Sequence, residues 1–408
     1  MRTITELQSG GSRLSSLDAF RGFDIFLMIL VNYLADMKGI PFFLQHAQAK
    51  FNGFTLADTV FPGFLFIVGV SIPFALSKRM NQREATTAIL KHIIIRSAAL
   101  IMLGVLLLNS SSYSAQYTGI SKAWWMTLMY LGTILVWNIY PKVNKPWQKY
   151  CFQGLRLFGT LLLTVLIIIF RGEISGETVW LRHSYWGILG IIGWSYLNAS
   201  LLYLFTGGSK YKLLTAMLLL VATYIPVQYG LPCWLKPVNA FLNMGTFATH
   251  TAIVLAGTMA GITLMNCHSP EQKRKCLWFM LLFGSSLLMA GFMLRPLFGF
   301  SKIRCTDSFA LATSGLCCLV LLLFYYLIEI KGWKKWSYWL LPIGINPLLA
   351  YILPDILGRL FNLTGTGKWF WPYLSAGGIS GFLNAAAMTL IVLTLTTFLT
   401  KWRIILRM

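Results

Sequence analysis

Apolar residues in this chain come in blocks of about 20, separated by short polar stretches, and blocks of that length suit helices that cross a bilayer. The pattern predicts about twelve spans, at roughly 18–37, 58–78, 88–108, 123–140, 152–170, 184–206, 211–229, 248–266, 276–297, 308–329, 337–357 and 380–401. The divisions between the fourth and fifth and between the sixth and seventh are the weakest, so ten or eleven spans also fit. The longest polar gaps are about 20 residues and leave no room for a soluble domain. The expected fold is therefore all-α, a polytopic transmembrane helical bundle forming a single integral-membrane domain over residues 1–408.

The first block breaks the pattern. On a helix turning about 100° per residue, Asp18, Arg21, Asp24, Asn32 and Asp36 share an arc of about 120°, with Ile25 and Met28 between them. A polar stripe on a spanning helix belongs against a bundle interior or a wet cavity, because charge facing lipid is costly. Two readings stand: a functional lining, or internal pairing in which Asp18 and Asp24 neutralise Arg21.

Composition sharpens the class. Hydrophobic residues make up 57% and charged residues 11%, with a mean hydropathy of +0.67, whereas a soluble domain carries roughly 25% charge. The net charge of +22 alone would admit a nucleic-acid partner. Its distribution argues otherwise, since the bases cluster between apolar blocks: Lys78, Arg79 and Arg83; Lys142, Lys145 and Lys149; Lys210 and Lys212; Lys273, Arg274 and Lys275; Lys331, Lys334 and Lys335; Lys401, Arg403 and Arg407. Alternate loops are poorer in base, apart from the one with Lys302 and Arg304, which is the asymmetry of cytoplasmic against external loops. Both termini are expected in the cytoplasm, with the loop carrying His46 extracytoplasmic. No nucleic-acid partner and no cleavable signal peptide are expected, and the bilayer itself is the first partner. Trp124, Trp125, Trp180, Trp186, Trp333, Trp336, Trp369 and Trp371 stand at block ends as interfacial anchors do. The seven cysteines show no C-x-x-C spacing, and Cys317–Cys318 reads as small-hydrophobe packing.

Candidate chemistry centres on His46, in a loop fourteen residues after Asn32 and twelve before Asp58. An imidazole, with an unperturbed pKa of ~6.5, can take a proton from an attacking amine or hydroxyl. Asp58 would orient the ring, and Asn32 would donate to an oxyanion developing on a thioester carbonyl. The plain alternative is a loop histidine beside a helix-start carboxylate favoured by the helix dipole. At the other end, Arg79, Lys91, His92 and Arg96 form a basic set able to hold phosphates, or simply snorkelling to lipid headgroups. Gly63 and Gly69 make the second span small on one side, for a pore wall or for close packing. His250 is a second ionisable group at a span start. No G-x-x-x-x-G-K-[ST], no G-x-S-x-G and no metal-ligand spacing occurs, so neither ATP nor a metal is expected.

Three stretches carry a resemblance. Ser16-Leu17-Asp18-Ala19-Phe20-Arg21-Gly22, Met28 with Asn32, and His46-Ala47 through Gly53, Thr55 and Asp58 to Ile72 resemble the start of the catalytic region of the heparan-alpha-glucosaminide N-acetyltransferase-like transmembrane acetyltransferases. Phe51 stands where that family often has Trp. Lys302, Thr306, Ser308, Phe309 and Gly315, then Gly344, Asn346, Leu348 and Tyr351, are similar to its late segment. The resemblance implies an N-acetyltransferase of a bacterial inner membrane, moving acetyl from cytoplasmic acetyl-CoA to an extracytoplasmic amino sugar or glycan. His46 would be general base or acetyl carrier, assisted by Asp58 and Asn32. Arg21, Arg79, His92, Arg96, Ser308 and Asn346 would serve the co-substrate, and a homodimer is compatible with this reading. His250 departs from the family, which has a small hydroxyl there. A sugar or anion transporter and an O-acetyltransferase of an envelope polysaccharide remain the alternatives. The loop at residues 109–122 and the 358–379 segment are the expected walls of a sugar pocket.

Overall fold

A computed structural model describes residues 14–407, apart from residue 36, residues 184–185, residue 231 and residues 368–376. Asp36, Trp369 and Trp371 thus lie outside the described residues. Among the described residues, twelve helices account for the expected spans: α1 Ser15–Leu34, α2 Leu56–Asn81, α3 Thr86–Asn109, α4 Lys122–Trp137, α5 Pro146–Ile169, α6 Gly187–Phe205, α7 Lys210–Ala222, α8 Met244–Met265, α9 Pro270–Phe298, α10 Asp307–Tyr325, α11 Pro347–Leu363 and α12 Gly378–Lys401. Nine helices among the described residues are long and apolar enough to cross a membrane. The other three are α1, which holds Asp18, Arg21 and Asp24, and the shorter α4 and α11. The chain is an all-α polytopic integral membrane protein.

Helix α8 is the axis of the bundle, with every residue from Ala248 to Leu264 buried. It packs on α2 through glycines placed where a side chain has no room. A Cβ on Gly257 would stand 2.0 Å from the Phe66 carbonyl oxygen, and one on Gly69 would stand 2.0 Å from that of Val254. In a bilayer such contact is gained by backbone approach rather than by apolar burial alone. Gly69 therefore serves packing. Trp125, expected at an interface, is wholly buried instead, its indole N–H donating to the Leu166 carbonyl (3.1 Å) between α4 and α5.

The expected span at 337–357 is not continuous. A short helix, Leu341–Ile345, stops at Asn346, whose φ of −125° and ψ of 57° leave the helical region, and α11 starts at Pro347. Proline clashes with a helical residue before it and brings no N–H to the ladder, so a break falls here. The Asn346 amide ties it to residues 400–406. Its Nδ2 donates to Thr400 Oγ1 (3.0 Å) and to the Ile404 carbonyl (2.8 Å), and its Oδ1 accepts from Leu406 N–H (3.1 Å). The C-terminal segment so held also pairs with the end of α4, through Ile139 N–H to Ile405 and Arg407 N–H to Trp137. Between α5 and α6 a small antiparallel hairpin, Gly172–Ile174 with Glu177–Val179, turns at Ser175 and Gly176, both with positive φ.

Candidate functional site

The α1–α2 loop is built to present one histidine. Thr55 caps α2 in a reciprocal box, accepting from the Asp58 N–H (3.4 Å) while Asp58 Oδ2 accepts from the Thr55 N–H (3.2 Å). The Thr55 hydroxyl reaches back to the Gln45 carbonyl (2.7 Å), and Asp58 Oδ2 also accepts from Ala47 N–H (3.2 Å). These bonds clamp the residues on both sides of His46. The other carboxylate oxygen, Asp58 Oδ1, lies 3.0 Å from His46 Nδ1.

Burial is divided between the partners: the Asp58 side chain is 1% exposed and that of His46 38%. An ionised carboxylate only accepts, so the pair places the proton on Nδ1 and leaves the lone pair of a neutral ring on Nε2. Lys302, from the α9–α10 loop, completes the group, its Nζ 3.2 Å from His46 Nδ1 and 3.8 Å from Asp58 Oδ1. Burial holds the Lys302 ammonium below the usual lysine range, against the pull of Asp58.

Asn52 fastens the two loops together. Its Oδ1 accepts from Phe300 N–H (2.8 Å) and its carbonyl from Arg295 Nη2 (2.7 Å), while Phe54 meets Phe300 and Phe309 edge-on. Ser308 belongs to this fastening: its hydroxyl donates to the Gly299 carbonyl and to Thr306 Oγ1, and it is fully buried. Thr306 opens α10, but its hydroxyl accepts from Ser301 N–H (3.1 Å) rather than capping the helix.

The expected site residues divide into groups by depth. Asn32 is exposed on α1, and no hydrogen bond among the described residues joins it to His46 or Asp58. Its neighbour Val31 packs with Ala57 and Val60, which flank Asp58 on α2, so Asn32 occupies the adjoining turn. Deeper, Asp24 is 5% exposed with Oδ1 set in the notch of Gly63, 2.5 Å from where a Cβ would stand. Arg21 donates to Asp18 (2.9 Å), the Gly344 carbonyl (3.0 Å) and Ser71 Oγ (2.8 Å). Internal pairing therefore holds for Asp18 and not for Asp24. Along α2 the rise from Asp58 is about 8 Å to Gly63, about 20 Å to Ser71 and about 31 Å to Arg79.

Around Arg79 a second group assembles. Arg79 pairs with Glu84 (2.7 Å), and His92 feels the charges of Arg79, Arg96, Glu84 and Arg407. The Arg96 guanidinium lies over the Tyr196 ring, 4.5 Å from its centroid. Three of the four expected basic residues thus lie within electrostatic reach of one another, with Lys91 exposed beside them and Arg407 added from the C-terminal segment. Asn346 belongs to neither group, since its amide is engaged with Thr400, Ile404 and Leu406. His250 is buried, its Nδ1–H donating to the Thr246 carbonyl (2.6 Å) and its ring 5.4 Å from that of Phe61.

Lys302 and Arg407 are the residues that sequence reasoning did not assign to these groups. Their signals were a loop that broke the charge alternation and a base at position 407.

Comparison with known proteins adds a relationship. A family profile described as a domain of unknown function (DUF5009) matches residues 13–179. The chain is 36% identical over 102 residues to the heparan-alpha-glucosaminide N-acetyltransferase of Mus musculus, covering 25% of this chain and 15% of that protein. It is 38% identical over 97 residues to the protein of the same name from Homo sapiens, covering 24% and 14%. The chain thus spans about one-seventh of the length of these curated relatives, and the relationship is a distant one.

Proposed function

We propose that this protein is a transmembrane acetyltransferase that moves acetyl from acetyl-CoA to the amine of an amino sugar on the opposite face of the membrane. The observation that carries the reading is the His46–Asp58 pair: a 3.0 Å contact between a buried carboxylate and a partly open imidazole. The match to two N-acetyltransferases supports the reaction class.

His46 Nε2 accepts a proton as the sugar amine attacks the thioester carbonyl. Asp58 holds the ring through Nδ1–H and stabilises the imidazolium that forms. The tetrahedral intermediate then loses the C–S bond, and the proton passes from His46 to the departing thiolate, giving the N-acetyl sugar and free coenzyme A. Asn32, on the adjoining turn of α1, is the amide nearest in sequence logic to serve the oxyanion. Arg79, His92, Arg96 and Arg407 suit the phosphates, and the polar interior past Arg21 and Asp24 suits the arm between. In this arrangement the phosphate group lies toward the cytoplasm and the His46 loop outside, in a bacterial inner membrane.

The test is purified protein in liposomes with labelled acetyl-CoA and a panel of amino and hydroxyl sugars. Label is expected on glucosamine, and lost in His46→Ala by about 100-fold or more while acetyl-CoA still binds. Label on hydroxyl sugars alone would replace the amine acceptor by a polysaccharide hydroxyl. Thioester neither bound nor consumed, with labelled sugar crossing the bilayer, would make the protein a transporter.

A further inference from the structure

Between α6 and α8 lies an aromatic cleft that the acetyl-transfer reading does not use. It is lined by Trp186, Ile191, Trp194, Ser195, Thr246 and Phe247, with Asn243 at its edge. The Trp186 and Trp194 rings meet edge to face at 5.4 Å, and Trp186 also meets Phe241 edge to face at 5.4 Å and His183 at a tilt, 4.9 Å away. Both indole nitrogens are buried, and neither finds an acceptor among the described residues. A buried donor left unpaired costs on the order of 1–3 kcal/mol, so two on one small cleft call for an occupant.

The backbone is also held unusually here. Trp186 has φ of 66° and Asn243 φ of 52°, each at the start of a helix. For asparagine the left-handed region is common, and its side chain caps α8 at Thr246 N–H. For tryptophan it is an outlier costing about 1–2 kcal/mol, of the kind that persists where structure fixes a side chain for use. Interfacial tryptophans normally turn their N–H to water or headgroups. These two turn it inward.

The cleft encloses about 20 Å³, room for one hydroxyl-sized group. Its outer shelf is open, with Phe241 50% exposed. Thr246 connects it to the candidate centre, since the Cys305 side chain interacts with Thr246 and Cys305 Sγ also donates to the Lys302 carbonyl (3.4 Å).

We propose that this cleft is a pyranose subsite, taking one ring hydroxyl between the indole N–H groups of Trp186 and Trp194 while the C–H face of the sugar rests on Trp186, Phe241 and His183. It deepens the acetyl-transfer reading and rests on it for the sugar being the acceptor.

Full-length protein in nanodiscs tests it by saturation-transfer NMR with glucosamine, and with cyclohexylamine as an amine lacking hydroxyls. Glucosamine is expected to receive saturation and cyclohexylamine not. Trp194→Phe, which keeps an aromatic ring and removes the N–H, should weaken glucosamine about tenfold. Phe241→Ala, on the exposed shelf, should weaken it severalfold at an unchanged unfolding temperature. In the transfer assay the same losses should fall on KM for the sugar rather than on kcat. Equal binding of cyclohexylamine, absence of glucosamine binding, or undiminished affinity in Trp194→Phe would overturn the subsite and leave the indoles serving a buried water. Protein that binds glucosamine through Trp194 yet never acetylates it would refute the transferase and leave the subsite standing.

Discussion

Lys302 approaches both members of the His46–Asp58 pair from a loop 256 residues away in sequence. With Nδ1–H given to Asp58, the ammonium supports the carboxylate rather than competing for the ring. Replacing it by Met removes the cation nearest Asp58 and is expected to lower kcat about tenfold, a change of 1.4 kcal/mol in barrier. The pH dependence of stability supplies a separate readout. The folded-state pKa of Lys302 lies below its ordinary 10.5, so in the interval between them the unfolded chain binds more protons. Stability therefore rises with pH through that interval, and the rise should be smaller in Lys302→Met. Equal slopes in chemical unfolding of the two proteins would show that burial does not govern this lysine. The His46–Asp58 contact was legible because both residues flank one helix start and their spacing is local. Lys302 was legible only as a loop cation that broke the charge alternation, because periodicity says nothing about which loops meet.

Among the elements, the span boundaries followed directly from apolar block length, and eleven of the twelve expected blocks became helices with ends shifted by a few residues. The exception, at Asn346-Pro347, was visible as a proline inside an apolar run. What the sequence could not supply was the partner of the Asn346 amide, which comes from a segment 58–60 residues further on. This contact decides between two roles for Asn346. A cavity-lining amide would affect co-substrate binding, whereas an amide satisfying Ile404 and Leu406 acts on stability. Asn346→Ala leaves one buried and one half-buried backbone group without partners and is expected to destabilise the protein by about 2–4 kcal/mol. Thermal unfolding in detergent checks this, and a variant as stable as the parent would return Asn346 to the cavity.

For the whole molecule, the decisive feature is the separation of two chemically different ends by the length of α2. Asp58 and Arg79 stand about 31 Å apart along that helix, close to the thickness of the hydrocarbon core. The Arg79 end carries cations suited to phosphate, and the Asp58 end carries a histidine suited to proton transfer. An enzyme whose donor and acceptor shared one aqueous face would have no use for this separation, or for the Arg21–Ser71 contact and the buried Asp24 that would continue a polar path between. Donor and acceptor are therefore expected to enter from opposite sides. In liposomes selected for one orientation, acetyl-CoA supplied at the Arg79 face should label glucosamine present only at the His46 face. Both reactants confined to either single face should give no product. Arg79→Gln should raise KM for acetyl-CoA about tenfold with a smaller effect on kcat, because a phosphate contact remote from the reacting carbonyl contributes to binding in ground and transition states alike. Transfer between reactants held on one face would mean that the polar path does not conduct the acyl arm, and the basic cluster would then be assigned to lipid headgroups.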